Sequence, residues 1–130
     1  MYQYKCLLIF DPQLHKTVEM VKDQNLKQLL KETTTKLKKA IEHLEWSFKK
    51  IKNLPTDLSK MDDEQLEVWE SFSARFSRVI DLYLARYLRT RVLDNDPGYQ
   101  GSLRDFVDQA EKLGVIENAD FWMEMRALRN

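Results

Sequence analysis

Residues 25–53 read NLKQLLKETTTKLKKAIEHLEWSFKKIKN. Leu26, Leu29, Leu30, Leu37, Ile41, Leu44, Phe48 and Ile51 recur at three- and four-residue steps, with Lys and Glu filling the opposite face. This spacing predicts one long amphipathic helix over Asn25 to Asn53. Its weak point is Thr33-Thr34-Thr35, where three β-branched side chains lose χ1 freedom, so a bend or local fraying is expected there. Pro55 closes the segment, since its ring disfavours helical geometry at Leu54 and removes a backbone donor.

Downstream, Asp62-Asp63-Glu64-Gln65 offers a carboxylate N-cap with Gln at N3 and acids where the helix dipole favours them. Leu66, Trp69, Phe72, Phe76, Val79, Ile80, Tyr83, Tyr87 and Leu88 then continue an aromatic-rich stripe, ended by the turn cluster Asp94-Asn95-Asp96-Pro97-Gly98. Ser102-Leu103-Arg104-Asp105 opens a third, shorter helix carrying Leu103, Phe106, Val107, Ala110 and Leu113 inward, with Gly114 at the left-handed position beyond its end. Asn118 caps a fourth, running through Trp122, Met125 and Leu128. The expected fold is all-α: an antiparallel up-and-down four-helix bundle of two long and two shorter helices over residues 25–130. Residues 1–24 are ambiguous. Tyr2, Tyr4 and Leu7-Leu8-Ile9-Phe10 before Asp11-Pro12 look like a short strand without a partner, and we read the segment as an N-terminal arm with a helical turn near Leu14 to Val21.

Composition supports one helical domain. A chain of 130 residues with 43% hydrophobic content can fill a single core, and three Gly with three Pro are too few for the turns of a sandwich or barrel. One cysteine, Cys6, and the lack of a leader-like start point to the cytoplasm as the expected compartment. No apolar run approaches a membrane span, so no membrane partner is expected. The net charge of zero hides a polarity: residues 1–60 carry +5 and residues 61–130 carry −5, which packing of oppositely charged helices explains without invoking a ligand.

The chemistry on offer is narrow. One Cys with His15 and His43 cannot build a zinc site of ordinary spacing, and no EF-hand, P-loop or dinucleotide fingerprint is present, so neither a metal nor a cofactor is expected. Asp62, Asp63 and Glu64 read as capping acids, and Asp94 and Asp96 as turn formers. Asp81, between Ile80 and Leu82, must be paired, solvated or used; pairing with Arg78 or facing water is the simplest expectation. Arg75, Arg78, Arg86, Arg89 and Arg91 line the second helix, and Arg126 and Arg129 lie three apart on the last. Planar guanidinium groups fork onto phosphate oxygens in a way that Lys does not, which suits this surface to RNA or nucleotide phosphates.

The stretches Trp69 to Asp81, Ala110 to Ile116 and Trp122 to Asn130 together resemble the HEPN family, in particular its small bacterial members encoded beside minimal nucleotidyltransferases. The resemblance covers roughly residues 26–130 and is most specific in the last helix, where members carry Arg-Asn, a few variable residues, then Ala-His or a close equivalent. It implies a dimer in which two such motifs face one cleft and cleave RNA without metal, as a toxin neutralised by its nucleotidyltransferase antitoxin. Arg129 matches the motif Arg and Asn130 the polar position after it, with Arg126, Arg78 and Asp81 as candidate substrate-binding neighbours. No His follows Asn130 in this sequence, and general acid–base catalysis contributes about 10²–10⁴-fold. The resemblance therefore implies an RNase in its complete form and an inactive one as the sequence stands. The alternative is a non-enzymatic adaptor or substrate-binding bundle for a partner nucleotidyltransferase.

Overall fold

The computed structural model describes residues 24–129. Helix α1 (Gln24–Ile51) is joined through a short 3₁₀ turn (Leu58–Lys60) to α2 (Asp63–Asp81). A π-helical segment (Leu82–Leu88) follows α2 directly and passes into α3 (Arg89–Asn95). Backbone angles at both junctions stay in the right-handed helical region, so α2, the π segment and α3 form one continuous rod. Helices α4 (Leu103–Lys112) and α5 (Ala119–Leu128) complete an all-α bundle of two long and two short rods. Residues 1–23 of the expected N-terminal arm, and Asn130, lie outside the described residues, while Gln24 already belongs to α1.

The long rods run antiparallel. Phe48 near the end of α1 meets Phe72 early in the second rod, while the body of α1 continues along the π segment and α3. The last helix folds back on the same rod: Trp122 packs on Tyr83 with ring centroids 4.7 Å apart, and Arg129 reaches Asp81. Helix α4 covers the π segment and α3, where Arg89 lies over the Phe106 ring at 5.0 Å.

The capping chemistry anticipated from sequence is present at the starts of α2, α4 and α5. Asp62 Oδ1 accepts from the Gln65 N–H at 2.8 Å while the Asp62 N–H donates to Gln65 Oε1 at 3.0 Å, and Ser102 with Asp105 repeats this box. Asn118 Oδ1 accepts from the Phe121 N–H at 3.1 Å, and Gly114 takes φ +77° just past α4.

Several expectations need correction. No fraying occurs at the threonines; α1 is helical throughout, and Thr33 and Thr34 are buried at 3% and 4% exposure. They fill the gap in the apolar stripe between Leu30 and Leu37, so tertiary packing outweighs their low helix propensity. Leu29, Leu113 and Leu128, assigned to the core from spacing, are exposed, because each sits at the edge of its stripe or at a helix end. Helix α1 stops at Ile51 and not Asn53, and the rod ending in α3 runs through Asn95, which places Asp94 inside its last turn.

The π segment lies in the centre of the core. Leu82, Tyr83, Leu84, Tyr87 and Leu88 are all buried there. Ile80, Leu84, Leu88 and Val92, each at most 1% exposed, follow one another in steps of four. On an α-helix such a row drifts by about 40° per step. The wider i→i+5 winding counteracts the drift and keeps the row against α1 and α4.

Candidate functional site

The candidate residues lie where α5 ends against the middle of the long rod. Asn118 starts α5, Ala119, Trp122 and Met125 anchor its inner face, and four residues beyond Met125 the chain reaches Arg129, the C-cap. Because α5 runs antiparallel to α2, that end arrives beside Ser77 and Asp81, which are one helical turn apart and share a face.

Arg129 Nε lies 3.3 Å from Asp81 Oδ1, with the Arg side chain 25% and the Asp side chain 52% exposed. Nε itself is covered and makes no hydrogen bond, so the contact lies off the N–H direction and is a charge pairing. The Ser77 hydroxyl shares its proton between the Ser73 carbonyl at 3.0 Å and the Arg129 carbonyl at 3.4 Å. Among the described residues no hydrogen bond engages the five N–H donors of Arg129.

Of the residues singled out from sequence, Asp81 and Arg129 are therefore brought together across 48 positions. The simplest expectation for Asp81 is half corrected: its carboxylate is partly solvated, but the cation beside it is Arg129 and not Arg78. Arg78 is exposed and Arg126 half-buried one turn before Arg129; neither forms an ion pair or hydrogen bond among the described residues. Asn130 is not among the described residues.

Three features were not read from sequence. Arg75 leaves the second rod to donate to Ser47 Oγ at 2.7 Å and to the His43 carbonyl at 3.1 Å, so His43 contributes its backbone while its side chain faces water. An open groove of about 320 Å³ beside that latch is lined by Trp46, Lys50, Glu64, Glu67, Val68 and Arg75, among others, with Lys50 Nζ 5.4 Å from the Trp46 ring centroid. Tyr83 is sandwiched between Tyr87 and Trp122, and burial, then the neighbouring Tyr87 phenol, push its ionisation far above the usual tyrosine range. It stays neutral and serves packing. The wide spacing of the Ile80 row was the signal for the π segment, whereas the Arg75 latch depends on helix-to-helix register that spacing within one helix does not encode.

Among the described residues no group of three or more His, Cys, Asp or Glu side chains is arranged to hold a metal ion, and no helix is long and apolar enough to cross a membrane. No family model, no curated protein and no solved structure matches the chain.

Proposed function

We propose that the chain is a HEPN-like component of a bacterial toxin–antitoxin or nucleotidyltransferase-associated system that engages RNA phosphate through Arg129, in a metal-independent centre completed by a second copy. One observation carries this reading: Arg129 is folded back onto the second rod, charge-paired with Asp81, yet its hydrogen-bond donors are unspent among the described residues. A guanidinium held in place with donors to spare is suited to forked recognition of a phosphate. Arg126, one turn earlier, adds positive charge on the same helix. Active members of the family that the sequence resembles supply the proton donor and acceptor from a His after the Arg-Asn pair. RNA cleavage is therefore measured before and after an Ala-His-containing tail is appended to Asn130. Cleavage gained by the extended protein and lost again with Arg129→Ala supports the reading; inertness towards several RNAs with no dimer in solution overturns it.

A second reading, an adaptor that docks a partner nucleotidyltransferase, is favoured by Trp46, which is 61% exposed at the edge of the α1–α2 groove. Co-purification with such a partner, undiminished by Arg129→Ala, would select it.

A further inference from the structure

We infer that Ser77 and Asp81 are positioning residues for Arg129, gripping its carbonyl and its guanidinium from one face of the second rod. The inference rests on the reading of Arg129 as a phosphate ligand and names what fixes it. Arg129 lies beyond the last α5 residue, where helix ends fray and a long side chain samples many rotamers. Its backbone N–H still donates to carbonyls of its own last turn, at Ala127 and Arg126. Among the described residues, the polar contacts that reach it from elsewhere in the fold are those to Ser77 and Asp81. These two lie four residues apart, and Asp81 is the last α-helical residue before the π segment, so both sit on a stretch anchored by the buried Val79, Ile80, Leu82 and Tyr83.

Position and charge make opposite demands here. A carboxylate beside Arg129 repels an incoming phosphate, so if Asp81 acts only through its charge, Asp81→Asn tightens anion binding. If Asp81 holds the guanidinium in register, the same change weakens binding, because a mobile Arg must be ordered by the ligand. The burial of Nε against Asp81 and the second grip by Ser77 argue for register.

The test uses the full chain and a fluorescein-labelled single-stranded RNA oligonucleotide, with binding by anisotropy and thermal melting on each variant. Expected are a loss of about tenfold for Arg129→Ala, a loss of severalfold for Asp81→Asn and a smaller one for Ser77→Ala, with Asp81→Glu restoring most of the affinity. The Arg129 Nε–H NMR signal should be slowly exchanging in the parent and Asp81→Glu, and exchange-broadened in Asp81→Asn. Unchanged or tighter binding by Asp81→Asn, with Arg129→Ala still weakened, overturns the positioning role and leaves the RNA reading standing. Unchanged binding by Arg129→Ala overturns the RNA reading itself. An Nε–H signal insensitive to Asp81→Asn overturns the inference even if that variant is too unstable for binding measurements, since the signal is read below its melting temperature.

Discussion

Arg75 ties the two long rods together by donating to Ser47 Oγ at 2.7 Å and to the His43 carbonyl at 3.1 Å. Ser47 is buried, and a hydrogen bond from a charged donor to a buried hydroxyl contributes more than an exposed ion pair does. Arg75→Ala should lower stability by about 1–2 kcal/mol and melting by roughly 4–8 °C. Ser47→Ala and the double variant close the cycle, and chemical denaturation should give less than additive losses.

The tryptophans differ by environment and not by type. Trp122, 2% exposed between Tyr83 and Phe121, should cost about 3–5 kcal/mol on truncation to Ala. Trp46, 61% exposed, should stay within about 0.5 kcal/mol. Urea unfolding of the two variants decides this, and equal losses would mean that Trp46 is covered in solution.

Removing the α5 cap should reach the candidate site. Asn118→Ala deletes the acceptor for the Phe121 N–H and should cost about 1 kcal/mol. Hydrogen exchange should quicken along Ala119–Leu128 while α4 keeps its protection.

The Asp105 carboxylate is held below the usual aspartate range, first by the Ser102 backbone N–H and then by the Ser102 hydroxyl. A depressed folded-state value means that this contribution is complete above the unfolded-state pKa and is lost as pH falls through the folded one. Stability of the parent should therefore decline as pH falls through and below the ordinary aspartate range, and Asp105→Asn should flatten part of that decline. Denaturation midpoints across this range provide the measurement.

Two glycines near α4 make a matched contrast. A Cβ on Gly101 would lie 2.7 Å from Asp105 Oδ2 and 2.8 Å from Asp105 Cβ, so Gly101→Ala must dismantle the capping box. A Cβ on Gly98 would meet Asp96 Oδ1 at an ordinary 3.7 Å. Gly101→Ala should cost about 1–3 kcal/mol and Gly98→Ala less than about 0.5, measured by thermal melting.

The helices and their ends were legible because caps and stripes are local: Asp62, Ser102, Asn118 and Gly114 act within one turn of themselves. The roles of Thr33 and Thr34 were not, since a buried threonine is specified by the helix packed against it. Asp81 was marked from sequence as a residue in need of an explanation, yet its partner lies 48 positions away, beyond any periodicity argument. The HEPN resemblance points to Arg129; the fold joins it to Asp81 and adds Ser77 beside it.

A π turn is the trace left when a helix accommodates one residue more than its flanking turns need. Excising a single solvent-facing residue such as Ala85 from Leu82–Leu88 should let the segment rewind as ordinary α-helix, with the surfaces before and after it still in phase. The same excision at the equally exposed Ser73 would rotate everything upstream of the cut by about 100° relative to the rest. The long rod thus has one place where its length is negotiable, immediately beside the carboxylate that meets Arg129.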